Sequence, residues 1–145
     1  MAKKAAYGTA LTMQRLQTGT YVALTNLGDI TGPEVSVESV DVTTHDSADA
    51  FAESLPGIAD GGEVSFEIQL DPSSTAHETL YADVAARQMH NWRLQLPGFA
   101  STTAGGYVQF AGFLTKVGMG LPVKGSISAP ISIKVTGKPA YFKFV

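Results

Sequence analysis

The stretch Val64-Ser65-Phe66-Glu67-Ile68-Gln69-Leu70-Asp71 alternates apolar and polar residues without a break. A period of two puts Val64, Phe66, Ile68 and Leu70 on one face of a strand and Ser65, Glu67, Gln69 and Asp71 on the other. Upstream, Glu34 to Thr43 alternates too, but its phase slips. Val35 and Val37 share one parity, Val40 and Val42 the other. A bulge near Glu38-Ser39 keeps all four valines facing one core. Between the two strands runs Thr44 to Gly62, longer than a compact domain usually leaves without structure. This loop holds Phe51, Leu55 and Ile58, with Pro56-Gly57 fixing its path, and disordered linkers lack such anchors. It reads as a segment that awaits a partner.

Working outward, Leu11–Leu16 and Tyr21–Leu27 read as a hairpin around Thr18-Gly19, preceded by an arm over residues 1–10. Gly28-Asp29 and Gly32-Pro33 punctuate the approach to the valine strand. After Asp71-Pro72 the period becomes helical over residues 74–90. Thr75 and Glu78 fit a capping box, and Leu80, Tyr81, Val84, Ala85 and Met89 form one apolar stripe. Asp83 and Arg87 pair on the opposite side. Strands resume at Asn91–Leu96, with Trp92, Leu94 and Leu96 facing one way, and stop at Pro97-Gly98. Tyr107–Val117 changes phase at Gly112, a bulge candidate, and Val123–Thr136 is the longest alternation. Pro130 lacks an amide, so its surroundings read as a sheet edge or bulge. Residues 140–145 close the chain as an apolar arm or short strand. Seven or eight strands and one helix predict a mainly β fold, a sandwich or barrel with one flanking helix.

Composition narrows the function. The 145 residues suit a single domain, and 44% hydrophobic with 16% charged residues is a globular composition. A net charge of -3 leaves no basic footprint for nucleic-acid recognition. The absence of cysteine excludes disulfides, thiolate metal sites and cysteine nucleophiles. No run has the length of a membrane span, and the N-terminus makes a poor signal peptide, so a soluble, cytosol-made protein is expected.

Chemical motifs are sparse. His77-Glu78 lacks the second histidine of a zinc-protease helix, because position 81 is Tyr81. His45, Asp46, Asp49 and Glu53 lack the spacing of a calcium loop and read as a solvated loop. His90 follows the helix and caps its last carbonyls. Gly118-Met119-Gly120 has no helix after it to hold an anion. No nucleophile elbow occurs, so no enzyme, cofactor or metal is expected.

A family resemblance gathers these pieces. Asp29-Ile30-Thr31-Gly32-Pro33-Glu34-Val35-Ser36-Val37-Glu38-Ser39, Pro56-Gly57 before Gly61-Gly62-Glu63-Val64-Ser65-Phe66, and Asp71-Pro72 before a helix resemble the major tail tube proteins of long, non-contractile-tailed, lambda-type bacteriophages. So do Trp92-Arg93-Leu94-Gln95-Leu96-Pro97, Phe110-Ala111-Gly112-Phe113-Leu114 and Val135-Thr136-Gly137-Lys138-Pro139, over roughly residues 20–139.

The resemblance implies hexameric rings stacked into a hollow virion tube through which DNA leaves. It further implies tail terminator, tail tip and tape measure proteins as partners, and assembly in the host cytoplasm. Phe51, Leu55, Pro56, Gly57 and Ile58 are the expected ring-stacking loop. Glu34, Glu38, Glu67, Gln69 and Asp71 are the expected lumen face, an assignment weakened if Lys124 or Lys134 shares it. Leu80, Tyr81 and Val84 are the expected subunit contact. The immunoglobulin-like domain that follows the Gly-Lys-Pro region in several relatives is expected to be missing. The rivals are a type VI secretion-like tube protein, which shares the fold, and a secreted β-sandwich ligand-binding module.

Overall fold

A computed structural model describes residues 9–14, 19, 21–96 and 105–144. Among them nine strands and one α-helix are formed: β1 (Ala10–Gln14), β2 (Val22–Ala23), β3 (Leu27–Thr31), β4 (Ser36–Asp41), β5 (Ser54–Asp60), β6 (Glu63–Gln69), α1 (Thr75–Ala86), β7 (His90–Gln95), β8 (Gly105–Val117) and β9 (Ser128–Phe144). Seven strands make one antiparallel sheet in the order β2-β1-β7-β8-β9-β6-β3, and β4 and β5 form a separate ribbon.

The sheet must curl. Its edge strands β2 and β3 are consecutive in the chain, with only Leu24, Thr25 and Asn26 between them. That linker spans at most about 14 Å. The Leu24 amide bonds Leu11 O on one side (3.0 Å), and Asn26 O accepts from the Gln69 amide on the other (2.9 Å). The two edges therefore approach, and the sheet closes into a half-barrel around its apolar face. Along β6, Val64, Phe66 and Ile68 are buried while Glu63, Ser65, Glu67 and Gln69 are exposed, as alternation requires. Trp92, Leu94, Val108, Phe110, Ile131, Ile133 and Val135 fill the same interior. Each large side chain removed from water contributes about 1.5–3 kcal/mol.

β9 is an interior strand, so Pro130 lies at no sheet edge. The β8–β9 register instead shifts between Leu114 and Lys116 beside it. Gly118 N donates to Pro130 O at 2.9 Å, but Pro130 has no N–H to return the bond, and Gly118 O accepts from the Tyr81 hydroxyl at 3.1 Å instead. Gly112 is no bulge: it pairs in register with Val135, where a Cβ would lie 2.6 Å from Lys134 O. Three residues of β9, Gly137 to Pro139, instead stand opposite Phe110 where the register shifts.

Other expectations change at the ends of elements. β9 begins at Ser128, leaving Val123 fully exposed in the bend before it, and it runs through residues 140–144 paired with β8, so no free arm exists there. Gly28-Asp29 lies within β3 rather than in a turn. Of the expected arm at residues 1–10, only Thr9 and Ala10 are described, and Ala10 opens β1. The stop at Pro97-Gly98 lies outside the described residues.

Helix α1 is capped by Ser74, one residue earlier than expected, whose hydroxyl accepts from His77 N. The shift removes Glu78 from the capping-box position. It also turns His77, Leu80 and Asp83 inward, with Ala76 and Val84 packed beside them. Asp83 is therefore no surface partner for Arg87. It is buried, with His90 Nε2 3.7 Å away. His90 is the first residue of β7 and equally buried. Ala85, expected in the stripe, is exposed.

Candidate functional site

The valine strand is real, but the expected bulge within it is not, and its valines stay divided between two faces. β4 pairs Val37 with Ala59 and Val40 with Leu55, with a register shift between Val37 and Ser39. One residue lies between Val37 and Ser39 but two lie between Ala59 and Pro56, so the bulge is on β5 and β4 alternates unbroken, with Val37 on one side of the ribbon and Val40, beside Glu38, on the other. Neither side is a core face. Val35, Val37, Val40 and Val42 are 47%, 56%, 44% and 37% exposed.

The expected long loop is a second correction. Ser54–Asp60 is strand β5, paired antiparallel with β4. Only residues 42–53 connect the two strands, through a single 3-10 turn at Ala48–Ala50. Pro56 is tolerated because β5 has an open edge, and Gly57 because a Cβ there would press on Val40 (3.1 Å) and Glu38 O (3.2 Å). Every residue of β4 and β5 is exposed. Phe51, Leu55 and Ile58 are 74%, 57% and 83% exposed.

At its root the ribbon is fixed. Lys134 Nζ meets Asp60 Oδ1 at 3.0 Å, and the Gly62 amide donates to the same oxygen at 2.9 Å. The Gly62 amide first, then the lysine, holds the Asp60 carboxyl below the usual carboxylate range. Gly62 has φ +78°, and any side chain there would collide with Glu34 O. At the far end, Thr43 bonds lower the Asp41 carboxyl in the same way. Ser47 Oγ there accepts from Thr44 N and donates to Glu53.

The acids expected on one lumen face separate. Glu67 and Gln69 stand on the outer side of β6, and Ser126 donates a hydrogen bond to Gln69. They line a shallow open trough of about 550 Å³ with Asp29, Thr31, Ser65, Lys116 and Ser132. Glu34 and Glu38 belong to the ribbon. Asp71 lies past the end of β6, where Ser73 Oγ and N bind its carboxylate at 2.6 and 2.9 Å and lower its pKa. Lys134 pairs with Glu63 across β6 and shares the trough's side of the sheet, whereas Lys124 sits in the bend before β9.

Of the expected helix contact, Leu80 is fully buried, Val84 packs on the same core and Tyr81 binds Gly118 O. All three serve their own chain. The outward side of α1 consists of Glu78, Ala82, Ala85 and Ala86. His77 proves structural: its Nδ1 accepts from Asp71 N (3.0 Å) and its Nε2–H donates to Thr25 O (3.0 Å). It thereby ties the helix to the link between the sheet edges. Among the described residues no cluster of His, Asp and Glu has the arrangement of a metal site, and no helix is long and apolar enough to cross a membrane.

One group went unnoticed in the sequence. Arg93 lies between the rings of Tyr21 and Tyr107, 4.3 and 4.4 Å from their centroids, and Tyr107 stacks on Phe142 at 4.9 Å. Arg93 Nη2 also donates to Gln109 Oε1 at 3.3 Å. These side chains come from four separate segments and meet on the side of the sheet away from Trp92 and Leu94. Only register brings them together.

Comparison with known proteins agrees with this architecture. None of the curated proteins matches the chain. Among solved structures, the tail of an empty gene transfer agent particle refined with C6 symmetry superposes with TM-score 0.78 at 16% identity, covering 96% of this chain and 98% of that one. The baseplate of the anti-feeding prophage gives 0.79 at 11%, covering 98% and 97%. The SPP1 tail tube gives 0.71 at 11%, covering 94% and 76%. At such identities the likeness speaks for the fold. The family model described as "Lambda phage tail tube protein, TTP" matches residues 6–142, and the chain thus belongs to the lambda phage tail tube protein family.

Proposed function

We propose that this virion structural protein forms hexameric rings which stack into the tail tube, and that the β4–β5 ribbon makes the axial contact. The observation that carries this reading is the ribbon itself. An isolated two-stranded ribbon is marginal in water, and this one leaves a row of valines plus Leu55 uncovered. Contact between unlike patches of identical subunits, repeated along an axis, does not close and builds a filament. Val40 and Leu55, cross-strand partners on one face, would be the buried anchors, with Phe51 and Ile58 at the rim.

Within the assembled tail the tube would join terminator, tape measure and tip proteins, after assembly in the host cytoplasm, and would conduct DNA. The trough side of β6 and β9 is the candidate bore lining. Lys134 is there, but Asp60 pairs with it, and Glu67 and Asp29 oppose Lys116. Duplex DNA is held non-specifically by Lys and Arg on its phosphates, so a lining with few unpaired cations lets it slide. Because the family is structural, catalysis has no place in this reading.

The test is assembly of the purified protein, followed by negative-stain microscopy. Wild type should give tubes, and Val40→Asp with Leu55→Asp should give none while keeping its circular dichroism. Normal tubes from that double variant would overturn the role of the ribbon.

A further inference from the structure

The ribbon's chemistry specifies what it docks on. From Glu34 to Asp60 the chain places seven of its 13 acidic residues and neither lysine nor arginine. Only Asp60 has an ion pair among the described residues. A surface that covers this ribbon must therefore offer apolar area for the valines and a fixed cation for the carboxylates.

The Tyr21–Arg93–Tyr107–Phe142 strip offers both. With the Tyr21 and Tyr107 ring centroids 4.3 and 4.4 Å from its central carbon, the guanidinium keeps its N–H edge for a further partner, where planar carboxylates bind. Nη2 has one bond, to the neutral Gln109, and Nε is buried without a hydrogen-bond partner. No carboxylate of the described residues lies within ion-pair distance of Arg93. Two stacked rings hold the side chain in place, so little further conformational entropy is lost on pairing. Phe142, 47% exposed, extends the strip with apolar surface.

We infer that the β4–β5 ribbon of one copy seats on this strip of the next copy, with the Glu38 carboxylate in the plane of the Arg93 guanidinium and the Val40–Leu55 face against the aromatic rings. The inference rests on the ribbon-mediated stacking proposed above and names the surface that receives it. The two patches differ, so the contact is heterologous and propagates from copy to copy.

The chain has no cysteine, which gives a clean test. A variant carrying Leu55→Cys and Gln109→Cys is assembled, oxidised and run on a non-reducing gel. Covalent dimers and higher ladders, present in tubes and missing from dilute monomer, are the expected result. Wild-type tubes with no ladder from this variant would overturn the docking surface and leave stacking intact. So would a ladder from Leu55→Cys with Glu67→Cys, on the trough, in place of the first. Failure of wild type to form any tube would overturn both readings.

A second arm avoids cysteine altogether. Arg93→Glu should raise the concentration needed for tube growth by about tenfold or more. Adding Glu38→Lys to it should recover part of that loss, whereas growth unchanged by Arg93→Glu would contradict the inference.

Discussion

β6 and β4 carry the same kind of pattern and meet opposite fates. In β6, Val64, Phe66 and Ile68 are 0%, 4% and 0% exposed, whereas in β4 Val37 and Val40 are 56% and 44% exposed. Alternation decides which side chains share a face. It does not say what covers that face. β6 lies between β9 and β3 in a sheet that curls over its own core, while β4 pairs with β5 alone among the described strands and is exposed throughout. The covered face stabilises the monomer, and the bare face is available to a second molecule.

The largest expected effect comes from breaking the covered member of this pair. Phe66→Ala should cost about 3–5 kcal/mol of monomer stability, read by urea unfolding. Val40→Ala should change the same measurement by no more than about 0.5 kcal/mol and still weaken tube growth. If both variants destabilise the monomer equally, the two faces do not differ in the way described.

Next comes Gly112→Ala, whose Cβ would fall 2.6 Å from Lys134 O on the neighbouring strand. The backbone must shift, at about 1–3 kcal/mol by the usual cost of overpacking. Gly57→Ala, facing Val40 at 3.1 Å, should leave global unfolding alone and alter only the ribbon. A lower Tm for Gly57→Ala than for Gly112→Ala would contradict the assignment of the ribbon as peripheral.

The smallest effect concerns the ribbon's root. Asp60 has a folded-state pKa below its ordinary value, so its contribution is complete at neutral pH. That contribution is lost only as pH falls through the acidic carboxylate range. Amide exchange around Gly61-Gly62, corrected for intrinsic rate, should stay flat from about pH 6 to 8 and rise on acidification below about pH 4. Lys134→Met should reproduce part of that loosening at neutral pH.

Much of this was legible in the sequence because it depended on local pattern. The inward set of β6 and β9 and the helix after Asp71-Pro72 both follow from side-chain period. What pattern could not carry was pairing. Ser54–Asp60 read as loop because Pro56-Gly57 breaks its middle, and only the open edge beside β4 lets such a segment be a strand. Leu80 and Tyr81 read as surface anchors because a stripe has no address. In the fold, Leu80 fills the core, and Tyr81 replaces the hydrogen bond that Pro130 cannot donate. The Arg93 strip stayed hidden for a stronger reason: residues 21, 93, 107 and 142 become neighbours only through four strand registers.

Hydrogen–deuterium exchange over residues 35–60, compared between soluble monomer and assembled tubes, tests the central claim most directly. The account predicts fast exchange in the monomer and protection rising by about a hundredfold or more in tubes, as expected when a locally opening segment is covered. Strong protection of the ribbon already in the monomer, or exchange that stays fast in tubes, would contradict it.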